Sequence, residues 1–193
     1  MNSNTPGYLD YELLIQGEST EEPNAEIHEN DLHTLFYTSG TTGKPKGVMI
    51  SQKSWSAVTT NLLLDYGPVA QNDAILNTQP LSHGAGFFIL PFFIQGATNI
   101  LVPNINESTI YDTIDKENVT ILKLVPALLN RLTNYYRKES YGLHSLRSII
   151  YGGSPIATPR LIEAVKFFGQ RLVQLYGQAE APMYISKLAR EDH

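Results

Sequence analysis

A chain of 193 residues with 42% hydrophobic content is long enough for one sizeable α/β domain and its core. It contains no cysteine, which excludes a thiolate nucleophile, a cysteine zinc site, an iron–sulfur cluster and a thiol switch, and fits a reducing cytoplasm. The net charge of −5 argues against a nucleic-acid binder that works by neutralising phosphates.

The charge divides the chain. Residues 1–31 hold eight acids and no lysine or arginine, so residues 32–193 carry a surplus of three positive charges. We read 1–31 as an acidic leader and linker and 32–193 as the folded body, whose mild basicity suits an anionic ligand such as a nucleotide. The start, MNSNTPGYLDYELL, has no basic region followed by an apolar one and so does not read as a secretory signal. The longest apolar run, Gly84 to Ile94, is shorter than the ~20 residues a spanning helix needs, so no membrane span is expected.

In chain order, Tyr8 to Gln16 has the apolar spacing of a short helix, and Gly17 to Glu29 is a polar linker. Leu32 to Tyr37 and Gly47 to Ile50 read as strands. A helix from about Ser51 to Tyr66 follows, with Ser51 as its cap and Gly67-Pro68 as its stop. Ala74 to Gln79 reads as a strand, His83 to Gln95 as an apolar helix bent at Pro91, and Asn99 to Val102 as a strand. The alternation continues with a helix at Glu107 to Glu117, a strand at Ile121 to Val125 and a helix at Pro126 to Arg137. A strand at Ser148 to Tyr151 precedes a helix at Thr158 to Phe168, capped by Thr158 with Pro159 in its first turn. Strands at Leu172 to Leu175 and Pro182 to Leu188 close the series. This alternation predicts an α/β fold, a largely parallel sheet with helices on both faces in three layers.

Four polar segments each fall just after a predicted strand: Ser39 to Lys46, Ser82-His83, Gly152 to Ser154, and Tyr176 to Glu180. Open parallel sheets bind ligands beyond the carboxyl ends of their strands, so the four segments are expected to meet in one crevice.

The first of them packs four hydroxyls, three glycines and two lysines into the ten residues from Thr38 to Gly47. Glycines let the backbone approach an anion, hydroxyls donate to it and lysines balance its charge. The spacing is not that of a Walker A loop: Gly40 and Gly43 are two residues apart, Pro45 follows Lys44, and a strand follows the loop. Composition alone also fits a hairpin loop with solvated lysines.

The whole string FYTSGTTGKPKGV resembles the signature loop of the adenylate-forming superfamily, which includes acyl-CoA and aryl-CoA ligases, luciferases and the adenylation domains of peptide synthetases. By that resemblance Thr38, Ser39, Gly40, Thr41, Thr42, Gly43 and Lys44 inherit contacts to the ATP phosphates. Pro80-Leu81-Ser82-His83-Gly84 looks like the family segment whose histidine sits beside the substrate carboxylate. An imidazole at a helix N-terminus is placed to donate there, with the free N–H groups of the first turn adding positive potential; on its own the segment reads equally as a surface histidine.

Gln174-Leu175-Tyr176-Gly177-Gln178-Ala179-Glu180 resembles the family's Tyr-Gly-x-Thr-Glu segment. The resemblance implies that Tyr176 stacks on adenine, that Gly177 lies against the nucleotide and that Glu180 helps hold Mg²⁺. The residue types agree, since a tyrosine ring offers a flat amphipathic face and a carboxylate is a hard oxygen ligand. The family threonine is replaced by Ala179, which removes a donor to the α-phosphate. Tyr151-Gly152-Gly153-Ser154-Pro155 resembles the family's glycine-rich turn beside adenine and the acyl pocket, which adds Gly152, Gly153 and Ser154 as contacts.

The implied reaction is ATP-dependent activation of a carboxylic acid, a fatty acid in preference to an aromatic one, to its acyl-adenylate and then transfer to CoA. Thr41, Lys44, His83 and Glu180 are the implied catalytic group. The family extends over ~500 residues, well beyond one domain. The chain therefore reads as a central piece of such a ligase, without the ribose-binding aspartate, the linker arginine or the lid lysine, and with little turnover expected alone. A module of the same fold that binds nucleotide without chemistry is the alternative that Ala179 permits. Strands left at the edge of a partial sheet predict a homodimer.

Overall fold

The computed structural model describes residues 7, 9–38, 43–136 and 142–193. In the leader, α1 (Tyr11–Ile15) is capped by Asp10, whose Oδ1 accepts from the Leu13 N–H at 3.1 Å, and none of its residues is buried. It is shorter than the Tyr8 to Gln16 helix expected from the sequence, and Tyr8 lies outside the described residues. A five-residue helix with no buried face has nothing to extend it.

β1 (Leu32–Thr38) and β2 (Lys46–Ser51) pair antiparallel with Phe36 opposite Val48 and Thr38 opposite Lys46. They form a hairpin separate from the main sheet. The connection between them is too short for a parallel crossover, which takes a dozen residues or more. Thr38 and Lys46, which flank the phosphate-type loop, thus belong to this hairpin and not to the parallel sheet that the alternation had suggested. α2 (Gln52–Asp65) follows, and Ser51 caps it as expected, its Oγ accepting from the Ser54 N–H.

The body then alternates: β3 (Ala74–Asn77), α3 (Gly86–Ile94), β4 (Thr98–Leu101), α4 (Glu107–Lys116), β5 (Ile121–Leu124), α5 (Pro126–Tyr136), β6 (Ser148–Gly152), α6 (Thr158–Phe168), β7 (Leu172–Gln178) and β8 (Ala181–Leu188). These strands make one six-stranded sheet in the order β4-β3-β5-β6-β7-β8. All neighbours are parallel except β7 and β8.

Alternation along the strands sorts the core into two layers. Ile75, Ile121, Ile150 and Val173 pack with Val58 and Leu62 of α2 and Phe87, Phe88 and Phe92 of α3. Leu76, Leu122, Ile149 and Leu172, one residue out of phase, pack with Ile110 and Ile114 of α4, Leu129 and Leu132 of α5, and Phe168 of α6. Both faces are therefore covered, which is why the strands read as unbroken apolar runs. The three-layer α/β arrangement expected from the sequence is the one observed.

The amino ends of the strands are tied by an ionic cluster. Arg147 donates from Nε to Asp73 Oδ1 at 2.9 Å and from Nη2 to Oδ2 at 2.5 Å, Thr120 Oγ1 donates to Oδ1 at 2.7 Å, and the Ala70 N–H donates to Oδ2 at 2.8 Å. Burial pushes the Asp73 carboxyl up, but these donors outweigh it and hold the group at about 2.

Three local expectations are corrected. α6 has Ala157 at its cap with no side-chain bond, so Thr158 is the first helical residue and not the cap. α3 starts at Gly86 and not at His83, because the preceding turn is closed by three-residue bonds, His83 N–H to Pro80 O and Gly86 N–H to His83 O. β7 runs on through Gln178 and turns directly into β8, so Tyr176 and Gly177 lie within a strand and not in a loop after one.

Candidate active site

A cleft of about 290 Å³ opens at the carboxyl ends of β5, β6 and β7. His83 and Gly84 from the turn before α3, Gly152 and Gly153 from the end of β6, and Gly177 and Ala179 from the β7–β8 hairpin all line it. Three of the four segments singled out in the sequence therefore converge, although they lie far apart in the chain.

The fourth segment is reached only in part. Ser39, Gly40, Thr41 and Thr42 lie outside the described residues. Phe36, two residues before Thr38, lines the cleft, and its ring centroid is 5.2 Å from that of His83. Gly43 and Lys44 are exposed at the far end of the same loop. Thr38, Gly43 and Lys44 are not among the lining residues.

Backbone packing explains why glycine stands at two of the lining positions. A Cβ on Gly152 would overlap the carbonyl oxygen of Leu175, its ladder partner on β7. A Cβ on Gly177 would lie 2.5 Å from the Met183 nitrogen on β8. Neither strand yields without breaking the ladder, so both positions expose bare backbone to the cleft.

His83 is exposed, and its Nδ1 lies 3.0 Å from Ser82 O. Its own N–H is bonded to Pro80 O and that of Gly86 to His83 O, so those two donors are occupied within the turn. What remains is a solvent-facing ring at the mouth of the cleft. Tyr176 is 57% exposed and, unlike Leu175 and Gly177 on either side of it, is not among the lining residues. Glu180 is exposed in the hairpin turn beside Ala179, and Ser154 is exposed beyond Gly153.

Among the described residues no group of three or more His, Cys, Asp or Glu side chains could hold a metal. Glu180, exposed and next in sequence to the lining residue Ala179, offers one hard oxygen ligand. That fits Mg²⁺, which keeps most of its waters and takes one or two carboxylates together with substrate phosphates.

The cleft also holds a residue that sequence reasoning passed over. Lys123 on β5 is 2% exposed, and its Nζ donates to Gln79 Oε1 at 2.7 Å and lies 5.6 Å from the centroid of the Phe88 ring. Both Lys123 and Gln79 line the cleft. Burial lowers the ammonium from its usual range to about 8. The signal is a lone lysine within the apolar run Ile121 to Val125, which the sequence marks only as a strand.

The family model described as AMP-binding enzyme matches residues 3–193. The chain belongs to that family. It is 36% identical to a medium/long-chain-fatty-acid–CoA ligase of Mycobacterium tuberculosis, an alignment that covers 88% of this chain and 29% of that protein. It is 37% identical to an indoleacetate–CoA ligase of Aromatoleum aromaticum, over 90% of this chain and 34% of that one. Among solved structures, the o-succinylbenzoate coenzyme A synthetase of Bacillus subtilis in complex with ATP and magnesium ion superposes with a TM-score of 0.77 and 29% identity, over 92% of this chain and 37% of that one. This AMP-binding chain thus spans about a third of the length of the relatives it matches. No helix among its described residues is long and apolar enough to cross a membrane.

Proposed function

We propose that this chain supplies the ATP- and acid-binding core of an acid–thiol ligase, which activates a carboxylic acid as its acyl-adenylate and passes the acyl group to CoA. The observation that carries the reading is the convergence of His83, Gly152, Gly153, Gly177 and Ala179 on one cleft at the carboxyl ends of the strands. The acid's oxygen attacks the α-phosphorus of ATP, the bond from that phosphorus to the oxygen bridging the β-phosphate breaks, and pyrophosphate leaves. The CoA sulfur then attacks the acyl carbon and AMP leaves. Neither half needs a protein nucleophile; positioning and charge stabilisation carry the catalysis.

The residues divide the work. The loop from Thr38 through Ser39, Gly40, Thr41, Thr42 and Gly43 to Lys44 cradles the β- and γ-phosphates, with Thr41 and Lys44 offsetting their charge. Tyr176 presents its exposed face to adenine, while the backbone at Gly152, Gly153 and Gly177, with Ser154 beside it, borders the nucleotide. His83 at the mouth donates to the reacting carboxylate. Glu180 would hold Mg²⁺, which when bound neutralises phosphate charge.

The acid is aliphatic, of the fatty-acid type. Phe36, Phe87, Val125, Leu175 and Met183 give the cleft apolar walls suited to methylenes. The chain covers about a third of its relatives, and we infer that these residues alone bind substrates with little turnover. A cytoplasmic setting, with its reducing conditions and supply of ATP, is consistent with the absence of cysteine. Among the described residues β4 and β8 each have one unpaired side in the sheet, which supports self-association; a monomer at every concentration in sedimentation velocity would count against it.

Acid-dependent exchange of labelled pyrophosphate into ATP, by this chain alone and by the chain joined to the remaining portion of a relative, tests the reading. Exchange with aliphatic acids is expected; ATP binding without exchange for any acid would favour the alternative of a non-catalytic nucleotide-binding module. Ala179 in the cleft lining, where the family places a threonine, is the observation behind that alternative.

A further inference from the structure

A lysine in the middle of a buried sheet is costly unless something neutralises it. Lys123 sits on β5 between Leu122 and Leu124, both fully buried, and is itself 2% exposed. Among the described residues its one hydrogen bond is to the neutral Gln79 Oε1, and no carboxylate pairs with it. An ammonium has three donors. Two are thus left over in a cleft whose other ionisable lining residue, among those described, is His83.

The two groups stand at opposite depths. His83 is exposed at the mouth, whereas Lys123 is buried, with the apolar side chains of Phe87 and Val125 also lining the space. An acid whose reacting carboxylate stays near His83 therefore directs its other end inward, past apolar walls, toward a charged group. A plain alkyl tail would leave that ammonium buried without an anion.

We propose that Lys123, steadied by Gln79, is a specificity-determining residue for an aliphatic acid that carries a second carboxylate at the end remote from the reacting one. The second carboxylate accepts the two remaining donors of Nζ, and the methylenes between the two acid groups lie along Phe87, Val125 and Met183. This inference rests on the acid–thiol ligase reading and narrows its substrate to α,ω-dicarboxylic acids. Lys123 touches no reacting atom; it selects and orients.

The test is binding without ATP or CoA, so its outcome is independent of whether the protein adenylates. Calorimetric titration of the chain compares the dicarboxylates from glutarate to suberate with monocarboxylates of matched length. At least one dicarboxylate is expected to bind about tenfold to a hundredfold more tightly than its monocarboxylate partner, the range for a hydrogen bond to a charged group. Lys123→Met is expected to erase that preference. In the unaltered chain, NMR titration of the Lys123 ammonium is expected to move upward on adding the dicarboxylate and not the monocarboxylate, which holds the proposal to account even if the variant fails to fold. Equal binding of the two classes, binding of neither, a preference that survives Lys123→Met, or an ammonium indifferent to dicarboxylate would each overturn it. A failed pyrophosphate exchange with dicarboxylate selectivity intact would reject the ligase reading alone.

Discussion

Gly152 on β6 lies so close to Leu175 on β7 that a Cβ at position 152 would run into the Leu175 carbonyl oxygen. The obstacle is backbone in a central strand and not the far end of a flexible side chain, so nothing moves aside cheaply. Gly152→Ala is expected to cost about 1–3 kcal/mol of stability, the usual cost of overpacking a core. Urea denaturation of the two proteins measures it, and a midpoint unchanged by the substitution would contradict the packing. Because Gly152 also lines the cleft, nucleotide binding is expected to weaken in the same variant.

At the other end of the sheet, Asp73 accepts from Arg147, Thr120 and the Ala70 N–H. Its carboxyl is held at about 2, below its unfolded value of about 4. A depressed carboxyl contributes stability that is complete above the unfolded value and disappears as pH falls toward the folded one. Roughly 2 kcal/mol is therefore expected to drain away between about pH 4 and pH 2. Asp73→Asn should lack this acid limb. Stability measured at pH 5 and pH 2.5 in both proteins gives the comparison, and equal slopes would show that the cluster is not the cause.

The layers were legible because parallel strands covered on both faces are written as short apolar runs between helical ones, and Ala74, Ile121, Ser148 and Leu172 each begin a strand where such a run begins. Ends were less legible. His83 reads as helical because the apolar stretch continues from it, yet hydrogen bonds to Pro80 and from Gly86 close tight turns there, which hydropathy does not encode. Tyr176 to Glu180 reads as a loop because it is polar and carries a glycine, yet pairing with β8 makes most of it strand, and that pairing is non-local. Three of the four candidate segments met as expected, because a parallel sheet delivers its strand ends to one side. Lys123 was missed for the opposite reason: a strand pattern names which positions are buried, but not that one of them faces a cleft.

Tyr176 tests the proposed adenine contact with little risk to the fold, since 57% of it is exposed. Tyr176→Ala is expected to leave the urea midpoint within about 0.5 kcal/mol of the parent, as surface substitutions do. It is also expected to weaken ATP binding by about tenfold through loss of the aromatic face. An affinity indifferent to the substitution would remove Tyr176 from the adenine site.

Ala179 lines the cleft where the family places a threonine. A hydroxyl donating to a phosphate is worth about 1.5–3 kcal/mol, or about one to two factors of ten. Ala179→Thr is accordingly expected to raise the rate of acid-dependent pyrophosphate exchange by about tenfold or more. The ATP affinity should change less, because the donor acts where charge develops. A rate that stays level would mean that another group already serves the α-phosphate.

Lys123 bears on stability as well as on selection. Its ammonium is lowered by burial to about 8, against about 10.4 in the unfolded chain. Below about pH 8 both states carry the proton and the full burial penalty applies; above about 10.4 both are neutral and the penalty vanishes. Between those values the unfolded chain binds more protons than the folded one, so stability rises with pH. Lys123→Met, of similar length and without charge, is expected to be more stable than the parent at pH 7 by roughly 3 kcal/mol, and the advantage should shrink steadily toward pH 10. Tyrosines and the other lysines titrate over the same range, but they do so in both proteins and cancel in the difference. Paired denaturation curves at pH 7 and pH 10 therefore isolate this one side chain. A gap that stays constant across that interval would mean that Lys123 is solvated in solution, and with it would go the reason for seeking an anion to meet it.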